Sequence, residues 1–281
     1  MPADVDARVI ENRRLSSDYN VLVLHAPPIA AAAAPGQFVM IKTAGTGGAP
    51  LLRRPFSIFQ IVRDASGAPT GISIINKKIG IGTSQIYGAA AGSVMPVLGP
   101  LGLPFAPPAS GEAWMVAGGV GIGPFVTLAE ALQRAGTPAT LFYGARTAAD
   151  LHGADLFPPL GVDVQAATED GSRGDRGLIT LPLDRALRQA QSQPGQAAAG
   201  QRAVTINTCG PTPMMRAVAT LAAGFGVPCI VSLEQVMGCG MGGCYSCVVK
   251  VRHADRPRFV RSCIDGPVFD AASVVWEELS H

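Results

Sequence analysis

The sequence contains no uninterrupted apolar run near the ~20 residues that a membrane-spanning helix needs. Its most suggestive stretch, "APPIAAAAAPG", is short, dominated by alanine and broken by proline, so a mean hydropathy of +0.28 does not describe a membrane protein. The opening "MPADVDARVI" carries two aspartates and no apolar core, and does not read as a signal peptide. A formal net charge of +2 offers no support for binding nucleic acid or another polyanion. Charged residues make up only 15% against 48% hydrophobic, which excludes a disordered chain and describes a globular one. No internal repeat is visible. These absences describe a cytoplasmic protein, where structural disulfides are rare and clustered cysteines bind metal or do redox work.

What is present falls into three segments, and 281 residues leave room for two or three domains. Residues 1–108 show six short strand-like runs, "VDARVIE", "YNVLVLHA", "GQFVMIKT", "RRPFSIFQIV", "GISIINKKI" and "GSVMPVLG", with one helix near "TSQIYGAAA". Glycine or proline falls between most of them, which predicts a small antiparallel β-barrel. Residues 109–232 alternate strands ("AWMVAGG", "ATLFYGA", "VDVQAAT", "AVTINTCG", "PCIVSLE") with helices ("VTLAEALQRAG", "LITLPLDRALRQA", "PMMRAVATLAAGF"), predicting an α/β domain on a parallel sheet. The low-complexity stretch 191–201 reads as a surface loop. Residues 233–281 hold most of the cysteines and could hardly build a core unaided.

Of six cysteines, four follow the spacing Cys239-x4-Cys244-x2-Cys247-x15-Cys263. Disulfides, zinc and an iron–sulfur cluster are the candidate explanations. A second C-x2-C pair, which structural zinc normally uses, is lacking, and disulfides are disfavoured by compartment. The spacing matches the plant-type [2Fe-2S] pattern, in which three thiolates come from one loop and the fourth from elsewhere. Glycines 238, 240, 242 and 243 let that loop curl and point N–H groups at sulfur. Cys229, in "VPCIV", reads as a buried inert thiol. Cys209 ends a predicted parallel strand in "NTCGPTPMM"; it is either another small buried residue or a neighbour of a ligand at the strand end.

Two further signals concern phosphates. "LRRPFSI" places two arginines beside a proline in an apolar strand, and "GIGTS" places free backbone donors ahead of a helix; together they suggest a barrel that holds a phosphorylated cofactor. "GGVGIGPF" follows a strand and opens a helix, the context of a dinucleotide turn. From Gly119 it reads G-x-G-x-x-P through Gly121 to Pro124. The acidic residue expected roughly 20 positions on is missing, since "YGART" ends the next strand. Arg146 there suits either a 2′-phosphate or plain solvation.

These motifs, in this order, resemble the ferredoxin–NADP reductase superfamily and, more closely, the electron-transfer subunits of type 1B dihydroorotate dehydrogenases. "RRPFS", "GIGTS", "GGVGIGP", "DGSRG", "CGPTPMM", the cysteine loop and "CIDGPVF" span essentially the whole chain. The resemblance implies an FAD-binding barrel, an NAD-binding α/β domain and a small C-terminal [2Fe-2S] domain. It assigns Arg54, Pro55, Phe56, Ser57, Ile75, Asn76, Lys77, Gly82 and Thr83 to FAD. Gly119, Gly121, Gly123, Cys209 and Gly210 fall to NAD, and Cys239, Cys244, Cys247 and Cys263 to the cluster. Asn76 stands where relatives carry an aromatic ring. The implied partner is an FMN-containing dihydroorotate dehydrogenase catalytic subunit in a heterotetramer, with electrons passing through the cluster and FAD to NAD+ in pyrimidine biosynthesis. No catalytic acid or base for orotate chemistry is expected in this chain. The same module serving a sulfhydrogenase or a ferredoxin–NADP oxidoreductase is the alternative, and a stand-alone NAD(P)H diaphorase or redox sensor is another.

Overall fold

In the computed structural model, residues 1–43, 50–192, 203–253 and 256–279 are described. The first part of the chain forms β1 (Ala3–Arg14), β2 (Tyr19–His25), the short α1 (Pro27–Ala32), β3 (Phe38–Ile41), β4 (Arg54–Ser57), β5 (Gln60–Arg63), β6 (Pro69–Lys77), α2 (Ile81–Tyr87) and β7 (Val94–Leu101). The strands make one antiparallel sheet in the order β4-β3-β7-β1-β2-β6-β5. Seven strands appear instead of six because "RRPFSIFQIV" breaks in its middle. Ile58 N–H donates to the Gln37 carbonyl ahead of β3 (3.0 Å), whereas Phe59 N–H donates to Ser73 on β6 (2.8 Å). Two buried residues thus carry the chain from one sheet edge to the other and close the barrel. Inside it, Ala7, Val9, Leu22, Leu24, Val39, Ile41, Ile72 and Ile74 supply the period-2 apolar face.

The middle of the chain forms β8 (Glu112–Gly118), α3 (Phe125–Arg134), β9 (Ala139–Ala145), β10 (Val162–Thr168), the two-residue β11 (Asp175–Arg176), α4 (Thr180–Gln191), β12 (Val204–Cys209), α5 (Thr212–Gly224) and β13 (Cys229–Ser232). Beyond them lie β14 (Val248–His253), β15 (Arg256–Arg261), the single-turn α6 (Ser262–Asp265) and β16 (Val268–Asp270). The second sheet has the order β11-β10-β9-β8-β12-β13-β16, parallel except for β16. Covered on both faces, its central strand β8 is buried from Ala113 to Gly118, whereas β10 nearer the edge exposes Asp163 and Gln165. Trp114 and Val116 pack with residues of α4 and α5, while Ala113, Met115 and Ala117 pack with α3.

The cysteine segment shares the cores of its neighbours. Val249, Val251 and Val260 of the β14–β15 hairpin join the α/β core, and β16 extends the large sheet. Met237, Cys247 and Cys263 pack instead on Phe38, Met40, Leu98 and Leu101 of the barrel. Beyond Ser192, the low-complexity stretch lies outside the described residues. Among the described residues no helix is long and apolar enough to cross a membrane.

Candidate redox and nucleotide sites

The cysteine loop sits on the barrel face made by β3 and β7. Gly240 and Gly242 have φ of +73° and +77°, conformations that suit glycine and curl the loop. Tyr245 adopts the same left-handed region at φ +57°, uncommon for a residue with a side chain. It is held there by Arg261, whose guanidinium lies 5.4 Å from the ring centroid and donates to the Gly242 carbonyl at 3.0 Å. Ser262 N–H donates to the Cys247 carbonyl at 2.9 Å, tying the distant fourth cysteine to the third.

The Cys244 thiol interacts with Cys239, and the Cys263 thiol with Cys247 and with Cys239. Among the described residues no three His, Cys, Asp or Glu side chains converge on a single ion. Four thiols at the plant-type spacing fit a two-iron cluster, in which each iron takes two thiolates, better than one tetrahedral zinc. Cys247 and Cys263 are buried, Cys239 is half-buried and Cys244 is exposed, so a cluster here lies just under the surface. The Ser246 hydroxyl and backbone, with Cys239, hold the Cys244 thiol down at about 6, whereas burial pushes Cys263 up to about 12. Backbone also aims at sulfur, with Met241 N–H donating to Cys239 Sγ at 3.3 Å.

On β4, residues alternate between two faces. Pro55 and Ser57 stand opposite Met40 and Phe38 of β3, the residues that carry the cysteine loop. Arg54 and Phe56 face the other way, with Phe56 packed on the barrel core. Arg54 donates to the Leu52 and Arg53 carbonyls and lies against Gly82, where a Cβ would come 3.1 Å from its Nε. A cation and the opening N–H groups of α2, which have no partner within the helix, are thereby side by side, as a pyrophosphate requires. The Thr83 hydroxyl does not point outward. It accepts the N–H groups of Ile79 (2.9 Å) and Gly80 (3.0 Å) and shapes the turn from within.

Asn76 is fully buried, and its amide donates to Asn20 Oδ1 (2.8 Å) and the Thr83 carbonyl (3.1 Å). Asn20 donates in turn to Asn12 (2.7 Å), and Asn12 caps the carbonyls of Ile86, Tyr87 and Ala89 at the end of α2. The position offers no stacking surface. It anchors the phosphate turn to β1, β2 and β6. Neither Asn12 nor Asn20 stood out in the sequence, although a polar amide inside an apolar strand is a signal that something must pair with it. Ile75 is buried beside it, and the Lys77 ammonium lies 5.2 Å from the centroid of the Tyr19 ring.

The glycine turn occupies the carboxyl ends of β8 and β12, between which the strand order reverses, the place where open α/β sheets bind ligands. Gly121 is pressed against the Cys209 carbonyl and leaves no room for a Cβ. Gly210, at φ +155°, backs onto Gly118. At Gly123 a Cβ would lie 3.2 Å from Ser57 Cβ and 3.7 Å from Ile75, so the turn touches β4 and β6 of the barrel. The Tyr143 hydroxyl, overlooked in "LFYGART", donates towards the Gly119 (3.1 Å) and His152 (3.3 Å) carbonyls and fixes the turn's start. Burial raises the Cys209 thiol far above its ordinary range and makes it a poor nucleophile; Cys229 is pushed up to about 12 in the same way. Arg146 is exposed.

Comparison with known proteins agrees with this layout. The model of the iron–sulfur cluster binding domain of dihydroorotate dehydrogenase B matches residues 234–275, and that of the oxidoreductase NAD-binding domain matches 115–220. A dihydroorotate dehydrogenase B (NAD(+)) electron transfer subunit from Desulforamulus reducens is 35% identical over 97% of this chain and 98% of its own length. An electron transfer subunit homolog from Thermotoga maritima is 32% identical over 96% of this chain and 88% of its own. Among solved structures, that of an NADH-dependent reduced ferredoxin-NADP oxidoreductase superposes with a TM-score of 0.81 at 28% identity, covering 99% of this chain and 93% of that one. Full-length coverage at this identity, with the cluster and nucleotide domains each matched in place, decides the family: the chain is an NAD-linked oxidoreductase that belongs to the electron transfer subunits of dihydroorotate dehydrogenase B.

Proposed function

We propose that this chain takes electrons from an FMN-containing dihydroorotate dehydrogenase catalytic subunit and delivers them to NAD+, in a cytoplasmic heterotetramer. The observation that carries this reading is a shared platform. Phe38 and Met40 support the cysteine loop, Ser57 and Pro55 pair with them across the ladder, and Gly123 of the nucleotide turn rests on Ser57. When bound, a 2Fe–2S cluster carries single electrons and FAD joins them into the hydride that nicotinamide accepts.

The residues divide the work by place. Cys239, Cys244, Cys247 and Cys263 are the cluster ligands. Arg54, with the backbone of Gly82 and Thr83, meets the flavin pyrophosphate; Pro55, Phe56, Ser57, Ile75 and Lys77 border the rest of the flavin. Asn76 acts from behind, by holding α2. Gly119, Gly121, Gly123, Cys209 and Gly210 shape the nucleotide crevice, where small residues let the ligand approach the backbone. The chain divides accordingly at 108/109 and 232/233.

Reconstitution tests the assignment. The chain mixed with its catalytic subunit should convert dihydroorotate to orotate with NAD+, and the chain alone should only pass electrons from NADH to an artificial dye. A chain that binds no FMN-containing dihydroorotate dehydrogenase but couples NADH to another donor or acceptor would place the module in a different complex.

A further inference from the structure

Ser246 occupies the gap between Cys244 and Cys247. Its hydroxyl oxygen accepts the Gly238 N–H at 2.8 Å and stands 3.2 Å from Cys244 Sγ. A hydroxyl has one proton to give and two lone pairs to receive. With Gly238 occupying a lone pair, the proton remains for sulfur, and a ligating thiolate has none to offer in return. The bond therefore runs from Ser246 O–H to Cys244 Sγ. Cys244 is the exposed thiol of the four, so this donor acts at the ligand closest to solvent.

We propose that Ser246 is a positioning residue that raises the reduction potential of the cluster through a hydroxyl bond to Cys244. The inference rests on the cluster reading above. One-electron reduction adds negative charge that spreads onto the sulfurs, and a donor aimed at one of them stabilises the reduced form more than the oxidised form. Hydrogen bonds to sulfur are among the factors that set iron–sulfur potentials. Ser246 differs in this from the backbone donor at Cys239, because a side chain can be removed. Its second bond, to Gly238, holds the entrance of the loop and fixes the direction of the hydroxyl.

An EPR-monitored redox titration of the full chain separates this role from loop support, since the signal comes only from molecules that carry a cluster. Ser246→Ala should disfavour cluster reduction by about tenfold, which for a one-electron couple is ~59 mV to lower potential. Ser246→Thr, which keeps the hydroxyl, should return the potential to the wild-type value. Where the alanine chain loads poorly, Ser246→Gly removes the same hydroxyl without bulk and is read in the same way. An unchanged potential in the alanine or glycine chain would show that Ser246 only supports the loop and would overturn the proposal. Absence of iron and labile sulfide from the wild-type chain would instead overturn the cluster reading beneath it.

Discussion

At the scale of single residues, what matters is which atoms remain free to meet a ligand once internal bonds are counted. Arg54 and Thr83 both belong to motifs for phosphate, yet only Arg54 retains that capacity in its side chain, since the Thr83 hydroxyl is spent on Ile79 and Gly80. Arg54→Ala should remove a charge-assisted contact of about 1.5–3 kcal/mol, weakening FAD binding roughly tenfold to a hundredfold in a fluorescence titration. Unchanged affinity would move the pyrophosphate elsewhere. His152 gives a pH dependence with a definite sign. Its ring lies 4.6 Å from that of Tyr19, joining the loop after β9 to the barrel, and burial lowers its pKa against a weaker pull from Asp150 and Asp18. A histidine depressed in the fold binds a proton more readily when unfolded. Stability is therefore full above the unfolded value of about 6.5 and declines as pH falls from there towards the folded value. His152→Phe, which keeps the ring contact, should flatten the loss of melting temperature between pH 7.5 and 5.5; an equal loss in both proteins would acquit the histidine.

At the scale of elements, the three-asparagine chain shows why the sequence alone revealed the barrel but not how its phosphate turn is held. Alternating apolar residues in β1, β2 and β6 announce strands, because every second side chain must face the core. Asn12, Asn20 and Asn76 interrupt that alternation at three separate places, and their mutual contact depends on the register Asn12–Leu22 and Asn20–Asn76, which no local pattern contains. The split of "RRPFSIFQIV" was hidden for the same reason: local propensity favours one long strand, and only barrel closure demands a crossing at Ile58–Phe59. By contrast, the cysteine spacing was legible because three ligands lie within nine residues and their geometry is largely local. Asn20→Ala should take from the buried Asn76 amide one of its two acceptors and from the half-buried Asn12 Oδ1 its donor, at about 1–3 kcal/mol in all. The expected result is a lower melting temperature together with weaker FAD binding, although Asn20 touches no flavin. A fall in stability with flavin affinity unchanged would mean that α2 keeps its place without the chain.

At the scale of the whole molecule, the cysteine segment has no core of its own among the described residues and leans on both larger units, so its outer surface is what remains for a partner. Around a cavity of about 410 Å³ beside Gly240 and Cys263, the side chains of Leu103, Met241 and Ile264 stand 49%, 62% and 42% exposed, and Met1 lies at its edge. On the proposed reading, these apolar groups beside Cys263 would suit a docking face, where a partner must come close enough for electrons to cross. Met241 contributes its side chain to that face and only its backbone N–H to Cys239, so the two roles can be separated. Met241→Glu would force a carboxylate into an apolar contact with no partner, which is costly on burial. Association with the catalytic subunit should weaken at least tenfold in a pull-down or calorimetric titration, while iron and sulfide content and NADH-to-dye activity stay at the wild-type level. Dye reduction needs only the flavin and nucleotide sites. If assembly held and dye reduction fell, the loop would be serving the flavin and the docking face would have to be sought on another side of the barrel.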